Sequence, residues 1–534
     1  MHKNIYKRLG ALVIASTLLL GCTGNFEDFN IDESKVTNDQ LESDFYSIGG
    51  FFPQMQQMIY CNFNWGWGIN WPFQVMQNLN ADIFSGYMMT PTDFNGNVNN
   101  TNYALVDGWN GSNWDYTYAY FMTASGEVER SSKEDYPEIY AAAKILRVAA
   151  MHRLCDQYGP IIYTHYGNSQ TGGEFDSTED AYYAFFKDLD ESVSALEEYI
   201  TDSPGAKPLE RYDLMFAGDF EKWIKYANAL RLRLAMRISN VAPDRARTEA
   251  EAAMSNSYGV MENFDATVAG KGYQHPLFAL SIQWGDIKMG GSIESIMNGY
   301  NDPRMSKYFI PTTDEVVLGN GVEYKGIRQG IDIPNKDFYR KHSSLNFAAE
   351  TPATLMTASE VFFLRAEGAL HGWSGMGGSA AELYQKGVER SFEQYGLSVG
   401  DYLENDKVAA SFTDYLNHDN DVAAGSPYLN NVSPKWDEGA TDAVKLQKII
   451  TQKYIAMFPD GMEAWAEQRR TGYPVLMPVV INNSQGVIDT NKKVRRLNFS
   501  VTEKANNPGG YAKAVEMLGG ADNGGTPLWW DVNP

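Results

Sequence analysis

Residues 452–474 read QKYIAMFPDGMEAWAEQRRTGYP, and the second half of this stretch carries the signals of a helix end. Arg469 and Arg470 occupy what would be the last helical turn, and the sequence Gly-Tyr-Pro follows one residue later. Cationic side chains favour the negative end of a helix dipole, and a Gly-x-Pro sequence stops a helix. The stretch therefore predicts the end of a long helix, Ala443–Arg470, and favours a mainly α fold.

Helical periodicity also extends through the chain before this stretch. Within Pro137–Tyr158 the apolar residues are spaced by four, three and four positions, and the segment after Asp219, its predicted N-cap, repeats this spacing. Each pattern is typical of an amphipathic helix with one buried face. The apolar positions are Ile139, Ala143, Leu146 and Ala150 in the first segment and Trp223, Ala227, Leu230, Leu234 and Ile238 in the second.

The same pattern predicts further helices, one of which has a complete start signal. Ser379 and Glu382 form a capping box, in which the hydroxyl and the carboxylate each satisfy a backbone N–H of the first turn. Several antiparallel helix pairs are expected, although no strict repeat period is visible that would show a tetratricopeptide-like array from the pattern alone. The further helices are Thr178–Ile200, Ala246–Asn256, Leu355–Gly372 and Ala380–Tyr395.

Residues 45–121 differ from the helical segments in their aromatic content. Of these 77 residues, 20 are Phe, Tyr or Trp, well above the 13% of the whole chain, and 12 are Asn. Much of the segment, Gly86–Ser112 above all, shows neither helical nor strand periodicity. Long loops with this much aromatic mass are usually functional or packed on a scaffold. Residues 259–330 and 476–534 are richer in Gly, Asn and Pro and are predicted to be long loops with a few short strands.

The first 21 residues have the organisation of a bacterial signal peptide. A basic start precedes the apolar run Leu9–Leu20, whose 12 residues fall short of the roughly 20 that a membrane-spanning helix needs. The run ends in Leu-Leu-Gly-Cys, which resembles a lipobox, so Cys22 is predicted to become the lipidated N-terminus of the mature chain. An ordinary cleaved signal with an incidental cysteine is the alternative. The polar, acidic residues 22–44 are then a lipidated tether.

Charge and cysteine content exclude several classes of protein. The formal net charge is −23 with no Lys/Arg-rich run in the mature chain, so its surface repels phosphate backbones and no nucleic-acid partner is expected. Cys61 and Cys155 are the remaining cysteines, and neither lies in a C-x-x-C redox motif. We predict that both are free, buried thiols.

Several segments resemble the SusD/RagB family of nutrient-binding outer-membrane lipoproteins, in particular its SusD-like subgroup. The most specific is the opening stretch, residues 452–474, and Trp284-Gly285-Asp286 and the lipobox add to it. All of them occur in the expected order across nearly the whole mature chain. The other segments are IYAAAKILRVAAMHRLCDQYGP (139–160), FEKWIKYANALRLRLAMRI (220–238), SEVFFLRAEGALHGW (359–373) and GYNDPRM (299–305).

The resemblance implies a fold and a role that the periodicity alone does not. It implies four helix-turn-helix pairs of tetratricopeptide type in one domain, 45–534, with long loop-rich insertions and a few short strands. The scaffold would cover about 136–258 and 355–475, and insertions at about 45–121 and 259–345 would carry the ligand site. The protein would sit, anchored by its N-terminal lipid, on the outer face of the outer membrane. There it would be the lid of a SusC-like TonB-dependent barrel transporter and capture a nutrient, most often an oligosaccharide.

A cluster of tryptophan and asparagine in the sequence Asn-Trp-Gly-Trp-Gly-Ile-Asn-Trp is the first candidate ligand site. It contains Trp65, Trp67, Asn70 and Trp71. A sugar presents apolar C–H faces edged by hydroxyls, so a site for it needs flat aromatic rings with planar amides beside them. The alternative is that these rings pack beneath the loops as core, which is the common fate of aromatic side chains.

A second loop repeats this chemistry. Trp109 and Asn110 precede Asn113 and Trp114, and two tryptophans that flank Gly and Asn are predicted to be the most exposed rings of the region. Trp284 lies in the other loop-rich region, which in the family approaches the N-terminal insertion, and completes the predicted ligand contacts.

Motifs of catalysis are missing from the sequence. It contains no H-E-x-x-H, no G-x-S-x-G, no phosphate loop and no dinucleotide fingerprint, and its seven histidines are dispersed. We therefore predict a binding protein without a cofactor or a metal site, and not an enzyme. Three alternatives stay open: the same role with peptides or another small nutrient as cargo, a surface-tethered glycoside hydrolase that uses two of the 67 acidic residues, and a purely structural helical adaptor.

Overall fold

A computed structural model describes residues 45–62, 71–168, 172–269 and 273–533 of the protein, and eight long helices form its scaffold. The helices follow one another as four pairs along the chain. The pairs are α1 (Pro137–Tyr158) with α2 (Thr178–Asp202), α3 (Phe220–Arg237) with α4 (Pro243–Ser255), α5 (Ala358–Leu370) with α6 (Ala380–Gln394), and α7 (Asp442–Ala456) with α8 (Gly461–Thr471).

The starts of these helices are set by local sequence. α1 and α4 begin with a proline in the first turn, where the missing N–H is not needed. The other six begin behind a side chain that accepts a hydrogen bond from a backbone N–H of the first turn, and the predicted cap Asp219 and the predicted capping box of Ser379 and Glu382 are confirmed. The remaining caps are Ser177, Thr357, Thr441 and Asp460.

Packing between the helices produces the predicted architecture. Consecutive helices contact each other within the first three pairs, and α2 with α3, α3 with α5, and α5 with α7 continue the layer. The helix α8 packs against α1 and against a π-helical segment, Gln74–Asp82. The prediction of a mainly α, tetratricopeptide-like helix-pair scaffold is confirmed.

A group of buried, oppositely charged side chains, here called the scaffold ion cluster, joins helices from all four pairs. Arg237 on α3 lies at its centre, with its guanidinium 3.2 Å from Asp156 on α1 and 2.6 Å and 2.5 Å from Glu463 and Glu467 on α8. Removal of one partner from such a buried pair leaves an uncompensated charge. The other members are Arg233, Glu360, Glu367, Lys453 and Arg470.

Charge pairing dominates the acidity of these carboxyl groups. Burial acts to raise the pKa of Glu463, but the cations Arg237, Lys453 and Arg233 outweigh it and hold that pKa well below its usual value. Burial also acts to raise the pKa of Glu367, and Arg470 outweighs it in the same way. The ion pairs therefore keep Glu463 and Glu367 ionised inside the protein, whereas burial outweighs Arg237 at Asp156 and raises the pKa of that carboxyl.

Three predicted helices have the wrong bounds, and the one predicted at Ala246–Asn256 already begins at Pro243. The helix predicted at Ala443–Arg470 is in fact the pair α7 and α8, because Pro459 cannot continue an α-helix and Asp460 then caps the next one. The helix predicted at Leu355–Gly372 begins only at Ala358, behind the cap Thr357, and the residues before it form a short strand.

Two short antiparallel sheets lie among the loops of the described residues. Strand β1 (Met88–Met89) pairs with β3 (Lys288–Met289), with Met88 opposite Met289 and Met89 opposite Lys288. Strand β2 (Ala266–Val268) pairs with β4 (Ala353–Met356). The first sheet joins the N-terminal insertion (residues 45–121) to the central insertion (residues 259–345).

The regions outside the scaffold contain more helix than the sequence predicted. Pro508–Leu518 is a helix because Asn507 caps it and proline opens it, and the glycines that follow the proline hide this start in the sequence. The other α-helices are Tyr46–Gly49, Phe52–Ile59, Trp71–Phe73, Asp107–Asn110, Ser112–Tyr116, Thr123–Ser132, Gly291–Tyr300, Met305–Tyr308, Glu315–Gly319, Lys336–Tyr339 and Val501–Asn506. Further π-helical segments are Thr117–Met122 and Phe278–Gln283, and the 3₁₀ turns are Phe94–Asn97, Asn100–Asn102, Tyr402–Glu404 and His418–Asn420.

Apolar side chains from the scaffold and from both insertions pack into one contiguous core. Cys61 and Cys155 are free and buried in it, as predicted, and burial raises the pKa of the Cys61 thiol to about 12. None of the helices within the described residues is both long enough and apolar enough to cross a lipid bilayer.

Candidate functional site

The two insertions meet at the carboxylate of Asp286. It accepts hydrogen bonds from Lys336 Nζ at 2.5 Å, from Thr92 Oγ1 at 2.9 Å and from Gln74 Nε2 at 3.4 Å. Gln74 and Thr92 belong to the N-terminal insertion, and Lys336 begins a short helix of the central insertion. Asp286 therefore fixes three separate segments beside the sheet formed by β1 and β3.

Two exposed tryptophans flank this junction. Trp71 lies one helical turn before Gln74 and is 46% exposed, and Trp284 lies two residues before Asp286 and is 36% exposed. The carbonyl of Trp284 accepts a second hydrogen bond from Lys336 Nζ, at 2.8 Å. A junction of two loop regions thus presents two large aromatic rings to solvent, each beside hydrogen-bonding side chains.

Trp71 also extends an aromatic row on the N-terminal insertion. Its ring lies edge-on to Tyr116, with the ring centroids 6.1 Å apart, and Tyr116 lies 6.0 Å from Tyr120. Such edge-to-face contacts hold an aromatic ring in place, and Trp71 stays exposed beside Tyr116.

A cleft of about 480 Å³ opens beside Trp284. This volume is within the range of small-molecule sites. Apart from Trp284 its walls are mostly polar, and they include the side chains of Gln283, Lys288, Lys336, Arg340 and Ser344.

The cleft carries an excess of positive charge. Lys288 is buried, and its Nζ donates a hydrogen bond to Ser344 Oγ at 2.7 Å. Burial, together with the neighbouring charges of Arg340 and Lys336, lowers the pKa of Lys288 to about 8. Each of those two neighbours has an acidic partner, Asp286 for Lys336 and the exposed Asp337 for Arg340, whereas Lys288 forms no ion pair among the described residues.

The sequence-predicted ligand residues fall into three groups. Trp71 and Trp284 are exposed at the junction, as a ligand contact requires. Trp65, Trp67 and Asn70 lie outside the described residues, as does the predicted lipidation site, Cys22. The remaining four residues belong to the second loop, where the structure differs from the prediction.

The prediction that Trp109 and Trp114 are the most exposed rings is wrong. Trp114 is 2% exposed, and its ring is stacked on Phe175 at 5.6 Å and lies edge-on to Tyr158 at 5.4 Å. Trp109 is half-buried and lies edge-on to Phe94 at 5.7 Å. The loop containing both folds into two short helices, and the second of them turns Trp114 towards the core.

Asn110 and Asn113 are buried as well, and their amides serve the fold. Asn110 exchanges hydrogen bonds with Asn100, and Asn113 donates one to Gln157 of α1. Buried amides need such partners because an unpaired polar group in the interior is costly. Neither amide reaches a surface where a ligand could lie.

The structure adds residues that sequence reasoning missed. These residues, Gln74, Thr92, Lys288, Lys336 and Arg340, share no motif, and apart from the neighbours Lys336 and Arg340 they come from distant parts of the chain. Only the fold brings them to Trp284, so no local signal could have identified them. Within the described ranges, no three His, Cys, Asp or Glu side chains come together as metal ligands would.

Comparison with known proteins places this geometry in a family. The family model for SusD-like proteins, described as "Susd and RagB outer membrane lipoprotein", matches residues 28–531. The chain belongs to the SusD-like family. The resemblance drawn from the sequence segments is thereby confirmed, and SusD-like proteins are outer-membrane lipoproteins that bind carbohydrate without catalysis, so the prediction of a non-enzyme is confirmed as well.

Solved structures of SusD homologues match nearly the whole chain. A chitin-binding SusD homologue from Flavobacterium johnsoniae is 44% identical with a TM-score of 0.86, over 91% of this chain and 99% of that one. A SusD homologue from Bacteroides vulgatus is 41% identical with a TM-score of 0.86, over 92% and 99%. One from Bacteroides thetaiotaomicron is 32% identical with a TM-score of 0.83, over 92% and 100%. A comparison with curated protein sequences finds no match.

Proposed function

We propose that this SusD-like protein captures an oligosaccharide at the cell surface and passes it to a TonB-dependent outer-membrane transporter, for which it is the lid. The observation that carries the proposal is the pair of exposed tryptophans, Trp71 and Trp284, at the junction of the two insertions beside a polar cleft. The 44%-identical homologue described as chitin-binding supports a sugar as the cargo.

The chemistry of the junction suits a sugar ring. An exposed indole offers a flat apolar face to the C–H groups of a pyranose, and the amides of Gln74 and Gln283 offer both donors and acceptors to its hydroxyls. Asp286 is already held by three donors, so it orders the site rather than contacting the ligand. The site binds through contact and hydrogen bonding and breaks no bond.

Family membership supports the cellular setting of the proposal. A lipid on Cys22 would hold the protein in the outer membrane, since several acyl chains together bind a membrane almost irreversibly. Residues 22–44 would then be the tether between lipid and scaffold. On the exterior side of that membrane, the protein would close over a SusC-like barrel once the cargo is bound.

Titration calorimetry of the protein without its first 22 residues tests the proposal. The ligands are a panel of oligosaccharides that includes chitin fragments and, separately, a peptide digest. Trp284→Ala and Trp71→Ala should each weaken binding of the best oligosaccharide by about tenfold, because each removes a stacking surface. The matched control is Trp373→Ala, which removes a half-buried tryptophan that follows α5 and does not line the cleft.

Two results would overturn the proposal. One is binding from the digest with none from any oligosaccharide, which would make peptides the cargo. The other is oligosaccharide binding that both tryptophan variants keep in full, which would place the sugar on another surface.

A further inference from the structure

Five lysines are buried among the described residues, and one of them differs from the rest in its surroundings. Lys144, Lys325 and Lys453 each lie within ion-pair distance of a glutamate, at 2.7 Å, 2.6 Å and 3.2 Å. Lys448 donates to two backbone carbonyls, at 2.8 Å and 2.7 Å, and its ammonium also lies 3.3 Å from the hydroxyl of Ser433. Among these five lysines, only Lys288 has a single hydroxyl, that of Ser344, as its hydrogen-bond partner.

An ammonium group has three N–H donors and seeks a negative partner when it leaves water. Lys288 is 5% exposed, so most of its hydration has been lost, and one neutral hydroxyl replaces only part of it. The protein therefore maintains a buried positive charge that its own carboxylates do not neutralise, in a chain whose net charge is −23. A negatively charged ligand group would supply the missing partner and offset the cost of burying this ammonium.

The surroundings of Lys288 strengthen the case for a negative ligand group. Lys336 and Arg340 line the same cleft, and both act to lower the pKa of Lys288, as does burial. Asp286 is engaged by Lys336, so it does not serve Lys288. The partner of Arg340 is Asp337, and both side chains of that pair are more than half exposed, so the guanidinium is readily released to another anion.

We propose that the cleft beside Trp284 binds an acidic substituent of the sugar, a carboxylate or a sulfate ester, through Lys288 with Arg340 as a second donor. The proposal rests on the proposed function and names its substrate class, an oligosaccharide that contains a uronic acid or a sulfated residue. Because Trp284 and Lys288 line the same cleft, a pyranose against the indole can carry its acidic group towards the ammonium. Charge-assisted hydrogen bonds of this kind are about twice as strong as neutral ones.

The test is a glycan array in which every uronate or sulfated oligosaccharide is paired with its carboxyl-reduced or unsulfated counterpart, followed by titration of the best pair. We expect the acidic member to bind at least about tenfold more tightly than its neutral counterpart. The uronate and sulfate arms then show which of the two groups the cleft accepts. In Lys288→Met, the ratio of the affinity for the acidic member to the affinity for the neutral member should fall towards one.

A control variant shows whether the loss of any one positive charge on the protein would change the ratio of affinities. Lys386 is exposed on α6, outside the cleft, so Lys386→Met changes the net charge by the same amount and should leave the ratio unchanged. Arg340→Gln provides a second test that leaves the buried lysine in place, and it should lower the ratio by a smaller factor. Thermal unfolding of each variant shows that it is folded.

The outcomes separate this inference from the proposed function. Two results overturn the inference and leave the proposed function intact. In the first, neutral oligosaccharides bind as tightly as their acidic counterparts. In the second, the preference for acidic oligosaccharides persists in full in Lys288→Met. Binding of acidic peptides in preference to every acidic glycan overturns the assignment to a sugar. If no oligosaccharide of either kind binds, both proposals fall.

Discussion

Arg237 in the scaffold and Lys288 in the central insertion are two buried cations with opposite surroundings. Inside the scaffold, Arg237 is surrounded by three carboxylates that belong to two other helices. In the central insertion, Lys288 is also buried but has only a hydroxyl as its hydrogen-bond partner. The comparison teaches that burial alone does not reveal the role of a charged residue, and that the partners of the charge must be known as well.

The largest expected effect tests the scaffold side of this comparison. Arg237→Met leaves Asp156, Glu463 and Glu467 buried without their central cation, so the free energy of unfolding should fall by about 3–5 kcal/mol. Urea unfolding followed by tryptophan fluorescence measures the loss. The control is Arg247→Met at an exposed pair with Glu251, which should leave the unfolding midpoint close to that of the wild type. A loss for Arg237→Met no greater than that of the control would contradict the assigned role.

The next largest expected effect is a gain in stability instead of a loss. Lys288→Met removes a buried charge that has no counter-ion, so the variant should be more stable than the wild type by about 1–4 kcal/mol near neutral pH. Because the folded-state pKa is about 8 and the ordinary value is 10.5, the unfolded chain binds more protons between these values, and the wild type gains stability as the pH rises through that range. Urea unfolding at several pH values should show the gap between variant and wild type closing towards pH 10.5. A variant less stable than the wild type at every pH would give Lys288 a structural role.

The smallest expected effect is on binding. With a pKa of about 8 for Lys288, its charged fraction falls about tenfold from about pH 7 to about pH 9, and the affinity for an acidic oligosaccharide should fall by the same factor. The groups that face or influence Lys288 are Ser344, Lys336, Arg340, Asp286 and His342, and burial lowers the pKa of His342 to about 3, so this histidine stays neutral over the range. Titration of the wild type and of Lys288→Met across this range is the measurement. An equal decline in both proteins would assign the titration to another group.

The fold was predictable from sequence where its signals are local. The caps Asp219 and Ser379 and the apolar spacing of Pro137–Tyr158 each act within a few turns of chain, and the structure agrees with them. The division of the last long helix into α7 and α8 was missed because the apolar pattern continues through Met457 and Phe458 and conceals the break at Pro459.

The site was predictable only in part. Trp71 was predicted from its Trp- and Asn-rich surroundings and Trp284 from the family resemblance, and both are exposed, but the reasoning from composition failed for Trp114, which the fold turns inwards. Composition describes what a loop contains and not which way its side chains point. Lys288 and Lys336 are brought to one cleft by Asp286 and by the pairing of β1 with β3, and such long-range contacts leave no trace in a local pattern.

If the protein is the lid of a barrel transporter, as proposed, its two buried thiols offer a practical means of watching it move. Cys61 and Cys155 are protonated and inaccessible, so maleimide dyes should react poorly with them, since only an accessible thiolate is a good nucleophile. A single cysteine placed on an exposed loop would then accept a fluorophore selectively, without replacement of either native residue. Paired with a second dye on the barrel, it would report opening and closing of the transporter one molecule at a time.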